Sequence, residues 1–327
     1  MTFLTRRGLL AALSLSALAL PALAQTASWP AKPIRIVVAY PAGGVSDAIA
    51  RLLAEKMAGP LGQPVLVENK AGASGTIGMD AVAKAAPDGY TIGFSAISPL
   101  VLSPHFGKSP FDPFKDIAPV ASVMYSPVLL LATSASKAKD FNDLLATARS
   151  QPGAIRWSTS GPASLGHIML EQLQAGAKAP LFTHIPYKGG GQQITDALGG
   201  QFELLSVNAG PTLMQHVKSG KLRALAVGAP NRLAALPNVP TLAELGHPAA
   251  NLTSVFGIFA PAGVPQPVME RLNAEINKAL ALPEVRSRLT GTDNVPTGGS
   301  AADFARQIAA ESANNARIIK AAGIKAD

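Results

Sequence analysis

The sequence predicts an α/β protein folded as two lobes. Three observations carry this reading. Short apolar runs alternate with segments of helical periodicity from Pro30 onward, the pattern of right-handed β-α-β units around a largely parallel sheet. Glycine-rich turns follow several predicted strands and lead into helices. Two apolar, non-helical stretches, Tyr125–Leu130 and Leu252–Ile258, flank a second set of such units and read as two crossings of the chain between lobes.

The elements follow in order. Ile34–Ala39 reads as a buried strand and Ser46–Met57 as a helix that Ser46 or Asp47 can cap. Val65–Glu68 is a strand, Thr76–Ala86 a helix ended by Pro87-Asp88-Gly89, and Tyr90–Ser95 the next strand. Between 99 and 119 five prolines break up any long element. Ala121–Ala132 is a long apolar stretch interrupted by Pro127. The second set runs helix Asp140–Ser150, strand Ile155–Ser158, helix Gly166–Ala175, strand Phe182–Pro186, helix Gln192–Leu198, strand Phe202–Val207 and strand Lys221–Val227. Val255–Ala260 repeats the apolar character of Ala121–Ala132. Helices at Val268–Ala281, Pro283–Leu289 and Ala301–Ala322 close the chain, so the first lobe is expected to be discontinuous.

Composition narrows the function. Arg6-Arg7, the apolar stretch Leu9–Leu20 and the small-x-small site before Gln25 read as a cleaved secretory signal over residues 1–24, too short for a spanning helix. The paired arginines leave Sec and twin-arginine export both open. Removing 24 residues from 327 leaves 303, enough for two domains, and losing Arg6 and Arg7 lowers the formal charge from +8 to +6. The basic residues are scattered and aromatics are few, at 5%, so no nucleic-acid surface is expected. The chain has no cysteine, which excludes disulfides, thiolate metal sites and a thiol nucleophile.

Catalytic and cofactor signatures are missing as well. There is no Gly-x-Ser-x-Gly elbow, no HExxH and no Walker loop, since Lys188 precedes its glycines. Gly72, Gly75 and Gly78 lack the opening of a dinucleotide turn. No cofactor and no metal are expected. What the sequence does contain is glycine turns at helix starts: Pro41–Asp47, Lys70–Gly78, Ser158–Ser164 and Tyr187–Gly191. Glycine allows close backbone approach, and helix N-termini present unpaired N–H groups and partial positive charge, so these turns point to a small anion. Asp47 lies in a helix first turn, where it suits the dipole or orients the Pro41–Gly44 loop. Ser164 and His167 permit a nucleophile-base pair, with Ser160 as the alternative hydroxyl, but nothing in the sequence supplies an orienting third group. A cap at Ser164 with His167 in the first turn is the plainer reading.

These residues, taken together, resemble one family: the periplasmic solute receptors of tripartite tricarboxylate transporters, the Bug or TctC family. The resemblance covers essentially the whole chain after residue 24. It rests on Trp29–Val38, Pro41–Asp47 followed by Arg51, Glu68–Gly78, Pro87–Thr91, Gly161–His167, Ile185–Gly190, Gly220–Val227, Arg232, Leu236–Glu244 and Ala260–Gly263, all in family order. It implies a two-lobe, Venus-flytrap fold of type II with two interlobe crossings. The expected lobes are 25–127 plus 254–327, and 128–253. It implies a small carboxylate bound between them, partly by backbone N–H groups and bridging waters, as buried anions require. The expected contacts from the first lobe are Tyr40, Ala42, Gly43, Gly44, Ser46, Asp47, Gly72, Ala73 and Ser74. From the second they are Ser158, Ser160, Ser164, His167, Tyr187, Lys188, Asn208 and Ala209. The implied protein is a periplasmic monomer that delivers its solute to membrane transporter subunits, or else presents it to a sensor kinase. An exported esterase using Ser164 and His167 is the remaining alternative. Three positions depart from the family pattern: tryptophan is usual where Val255 stands and near Asn315, and aspartate where Glu203 stands.

Overall fold

The computed structural model describes residues 29–324 apart from 108, 176 and 178–180; the expected signal segment 1–24 lies outside the described residues. The first set of units is β1 (Ile34–Val38), α1 (Val45–Leu61), β2 (Val65–Asn69), α2 (Thr76–Ala83), β3 (Thr91–Ala96) and a short α3 (Ser98–Val101). A long β4 (Ile117–Ala132) leads into the second set. That set is α4 (Phe141–Ser150), β5 (Ile155–Thr159), α5 (Leu165–Gln174), β6 (Phe182–Pro186), α6 (Gly190–Leu198), β7 (Leu204–Asn208), α7 (Pro211–Lys218) and β8 (Arg223–Gly228). β9 (Thr253–Pro261) returns to the first set, followed by α8 (Gln266–Ala281), α9 (Pro283–Thr290), β10 (Val295–Pro296) and α10 (Ala301–Ala322).

The fold is two α/β lobes strung on one strand. β4 pairs antiparallel with β9 over Ile117–Pro127, then with β7 and β8 over Val128–Ala132. On the first side β2, β1 and β3 are parallel and β9 joins β3 antiparallel. On the second side β7, β5 and β6 are parallel. The expected parallel sheet therefore holds only within each β-α-β set. The two crossing segments reverse direction because each enters its lobe from the other one.

Pro127 does not end β4, contrary to the interruption expected there. A proline cannot donate to a ladder, and Pro127 sits where β4 changes partners. Its carbonyl still accepts from the Ala209 N–H at 3.0 Å. α7 has no counterpart among the expected helices, although Gly210-Pro211 is a helix-start signal, with proline at the first helical position.

Each sheet is covered on both faces. In the first lobe α1, α8 and α9 enclose a core built on Ile36, Leu53, Phe94, Ile258 and Leu272. α2, α3 and α10 cover the other face around Met79, Leu100, Phe259 and Phe304. In the second lobe α4 and α5 pack on Leu130, Trp157 and Leu204, and α6 and α7 on Leu129, Ile194, Leu205 and Leu213. The central strands β3, β4, β7 and β9 are buried on both faces, as a doubly covered sheet demands, while the edge strands β2 and β6 are partly exposed.

The three departures from the family pattern find plain places. Glu203 lies just before β7 and grips Arg156, accepting from its Nη2 at 2.7 Å, its Nε at 3.0 Å and its backbone N–H at 2.8 Å. Burial raises the Glu203 pKa, but these donors outweigh it and hold the carboxyl low. Val255 and Asn315 line one cavity of about 750 Å³. Tyr125 and Pro127 face that cavity, whereas Val128 and Phe256 face the interlobe cleft on the other side of the β4–β9 ribbon. Smaller side chains at 255 and 315 leave that space open.

Candidate functional site

The two lobes meet at the C-terminal ends of their parallel strands, where open α/β sheets hold ligands. Between them lies a cavity of about 160 Å³. It receives the first turns of four helices. α1 brings Gly44, Val45 and Ser46; α5 brings Ser164, Leu165 and Gly166; α6 brings Gly190, Gln193 and Ile194; α7 brings Gly210, Pro211, Thr212 and Leu213. Only α5 has a side-chain cap, with Ser164 Oγ accepting from the His167 N–H at 3.2 Å. α1, α6 and α7 start at glycine N-caps with no side-chain bond, so their first N–H groups, which in α7 begin at Thr212 because Pro211 has none, are left for whatever occupies the cavity. Among the described residues no carboxylate lines the cavity, and Arg288 is the one charged residue that does. The resulting field is positive without a bank of basic side chains.

Glycine makes the lobes able to meet so closely. A Cβ on Gly189 would lie 2.5 Å from Pro41 Cδ, and one on Gly191 would overlap the Ala42 carbonyl oxygen. A Cβ on Gly161 would lie 2.8 Å from Ser74 Oγ. Ser74 itself reaches across, donating to the carbonyls of Pro162 and, at 3.3 Å, Ser160. These contacts join the turns of opposite lobes and describe a closed cleft.

Eight of the expected contacts stand on the cavity wall: Tyr40, Gly43, Gly44, Ser46, Ser74, Ser160, Ser164 and Asn208. Burial pushes the Tyr40 phenol up to about 12, so it remains a neutral donor. Asn208 donates to the carbonyls of Ser126 and Pro127 at 3.3 and 3.4 Å, tying the wall to the crossing strand.

The other nine lie behind or beside the wall. Ala42 is exposed and abuts Gly191. Gly72 and Ala73 have φ of 138° and 46°, and shape the turn that presents Ser74. Ser158 is fully buried one layer back, accepting at 2.8 Å from Gln193 Nε2. Ala209 is buried against the crossing, its carbonyl accepting from Asn294 at 3.1 Å. Tyr187 donates to Asp196 at 2.6 Å; burial and that hydrogen bond push its phenol up to about 12. Lys188 is exposed and off the wall.

His167 is 1% exposed, stacks on His184 at 4.6 Å, and accepts from the Ala163 N–H through Nδ1 at 3.3 Å. Its Nε2 lies 3.6 Å from Glu171. Ser164 Oγ accepts at its cap from the His167 N–H, which is the plainer of the two arrangements the sequence allows for this pair.

Asp47 acts on the loop. Its carboxylate accepts from the Gly43 N–H at 3.1 Å, Arg51 Nε at 3.0 Å and Asn69 Nδ2 at 3.0 Å. Burial works to raise its pKa, but Arg51, Asn69 and the Gly43 N–H outweigh it and the net shift is downward. A depressed carboxylate stabilises the fold above its ordinary value of 3.8, and that contribution is lost as pH falls through the lower folded-state value. Asp47→Asn should therefore flatten the acid limb of a pH-stability curve. It should also loosen the Gly43 loop, weakening binding of a small anionic solute roughly 3- to 10-fold, about one hydrogen bond's worth. Unchanged acid unfolding in the variant would refute the role given to Asp47.

Gln193 and Arg288 were not among the expected contacts. Gln193 is fully buried, donates through Nε2 to Ser158 Oγ and, at 3.2 Å, to the Ser206 carbonyl, and leaves Oε1 without a partner. Its position two residues after the glycine triplet was a usable signal. Arg288, on α9, comes to the cleft only through tertiary packing. Among the described residues no cluster of histidine and carboxylate side chains suits a metal ion, and no helix is long and apolar enough to cross a membrane.

Comparison with known proteins gives a consistent result. A family model described as the tripartite tricarboxylate transporter family receptor matches residues 49–324. A UPF0065 protein of Bordetella bronchiseptica is 38% identical over 317 residues, covering 95% of this chain and 90% of its own length. Protein BugT of Bordetella pertussis is 38% identical over 257 residues, covering 77% and 78%. Among solved structures, the periplasmic binding protein BugD superposes with a TM-score of 0.84 at 30% identity, covering 91% of this chain and 99% of that one. MatC of Rhodopseudomonas palustris with bound malate gives 0.83 at 30%, covering 89% and 99%. A second R. palustris protein, solved with adipate, gives 0.83 at 30%, covering 91% and 99%.

Proposed function

The chain belongs to the tripartite tricarboxylate transporter receptor family, and on that premise we propose that it is a periplasmic receptor that encloses a small carboxylate between its lobes and passes it to the membrane subunits of a transporter. The observation that carries this reading is the convergence of four helix N-termini on a cavity without a carboxylate. A carboxylate there accepts from backbone N–H groups of the α1, α6 and α7 starts, with Tyr40, Ser46, Ser74, Ser160 and Asn208 as neutral partners on the wall. The cavity is below the usual range for drug-sized ligands, so the solute is small. Malate and adipate, held by two family neighbours, are of that kind.

Binding drives closure for a simple reason. The α1 turn belongs to one lobe, and the α5, α6 and α7 turns to the other. A solute gains both sets of contacts only in the closed form, so it shifts the population toward closure. Closure in turn gives a membrane partner a surface that differs between loaded and empty receptor.

A thermal-shift screen of the protein lacking residues 1–24 tests the reading. At least one small carboxylate should raise the melting temperature by several degrees at about 100 times its dissociation constant, a stabilisation of about 2.7 kcal/mol. Neutral sugars should not. Stabilisation by a neutral sugar, with no response to any carboxylate, would overturn it.

A further inference from the structure

Beside the interlobe cavity lies a wider outer chamber of about 760 Å³ between α1 and α9 on one lobe and α7 on the other. Ala48, Pro211 and Arg288 border both spaces, so the chamber is the mouth of the cleft. Its charges are unevenly satisfied. Arg51 is taken up by Asp47 at 2.9 Å, while the two acidic residues of the mouth, Glu55 and Glu284, share the single cation Lys56 at 2.9 and 2.7 Å, so the mouth keeps a net positive charge. That leaves Arg288 on α9 and Lys218 in the last turn of α7. Both are exposed, and among the described residues neither makes an ion pair.

We propose that Arg288 and Lys218 clamp a second, outward-facing carboxylate of the solute, and so make the cleft select dicarboxylates over monocarboxylates. The inference rests on the carboxylate reading of the inner cavity. Its physical basis is that two cations from opposite lobes line one mouth. Empty, they oppose closure by like-charge repulsion. An anionic group between them replaces repulsion with two attractions, and it does so only when the lobes have come together. The inner helix starts then hold the first carboxylate, while a chain passing between Ala48 and Pro211 carries the second to the mouth. Arg288 is the principal partner because it borders both spaces and its planar fork can grip a carboxylate through two hydrogen bonds. Lys218, a point charge farther out, supplies the weaker half.

The test is calorimetric titration of the protein lacking residues 1–24 with acids matched in length: succinate against butyrate, and adipate against hexanoate. The wild type should bind the better diacid about tenfold or more tighter than its monoacid. Arg288→Gln should bring that ratio to within roughly twofold of unity, with diacid affinity falling several-fold more than monoacid affinity, and Arg288→Lys should restore part of it. Lys218→Gln should lower the ratio about threefold. Added salt should shrink the ratio in the wild type and not in Arg288→Gln. Both side chains are exposed, so melting temperatures of the empty variants should match the wild type. A ratio that survives Arg288→Gln, or equal wild-type affinity for diacid and monoacid, would overturn the clamp and leave the carboxylate site standing. Failure of every acid to bind would remove both.

Discussion

Gly191→Ala should cost the receptor its affinity without costing it any stability. Gly191 lies in the first turn of α6, with an ordinary helical backbone rather than a left-handed one, so alanine fits the helix. Alanine in a helix is favoured over glycine by up to about 1 kcal/mol, which predicts an empty protein that melts at the same temperature or slightly higher. The added methyl, however, would overlap the carbonyl oxygen of Ala42, which belongs to the other lobe. That oxygen is backbone and cannot swing aside. The only relief is for the lobes to stay apart, and a solute then keeps the contacts of one lobe at a time. We expect binding to weaken by about 100-fold or more, equivalent to about 2.7 kcal/mol. Scattering should show the same radius of gyration with and without saturating solute, where the wild type contracts. Wild-type affinity in Gly191→Ala would mean that the closed contact between these turns is not needed for binding.

The same substitution at Gly78 should do the reverse. Gly78 is in α2, again without a left-handed backbone, and its Cβ would stand 2.7 Å from both Ala39 Cα and the Lys70 carbonyl oxygen. Both are main-chain atoms of the first lobe, so opening the cleft relieves nothing. The helix must back away from β1, undoing packing around Met79 and Val82, both fully buried. Overpacking costs about 1–3 kcal/mol, and two main-chain atoms this close put Gly78→Ala at the upper end, about 3 kcal/mol against a propensity gain of about 1 kcal/mol. A net loss of about 2 kcal/mol should lower the melting temperature by roughly 4–8 °C. At temperatures where the variant is folded, solute affinity should fall far less than in Gly191→Ala. An unchanged melting temperature would show that α2 can shift at no cost.

These two glycines also show how much the sequence could tell. The turns themselves were legible, because glycine after a buried strand and before a helix has few other uses. They delivered Tyr40, Gly43, Gly44, Ser46 and Ser74 on one wall and Ser160, Ser164 and Asn208 on the other. Which glycine serves the fold and which serves the cleft was not legible, since Gly78 and Gly191 differ only in what stands opposite them. Lys188 and Arg288 make the same point for charge. Lys188 is the obvious cation of the glycine turns in the sequence, yet it is not on the cavity wall. Arg288 is on a surface helix with no motif around it, and reaches the cleft because the C-terminal helices fold back onto the first lobe. The crossing strand misled for a different reason. Pro127 looks like a break in a linear reading, but a strand that trades one set of partners for another can spare an N–H at the exchange point.

If a solute is held as proposed, by donors that belong mainly to the main chain, there is a consequence for how such proteins diversify. Mutation replaces side chains, so the N–H groups at the starts of α1, α6 and α7 persist through almost any substitution that keeps the glycines and the fold. The capacity to hold one acidic head group is thereby inherited with the architecture itself. Exposed positions on the wall such as 212 and 288 are free to drift, and each change there would retune which tail is admitted without first dismantling the head-group site. On the proposed reading, a gene duplicate of this chain would start life already able to bind acids. It could acquire a new nutrient in a few steps, which suits a scaffold that recurs at 30–38% identity in different bacteria.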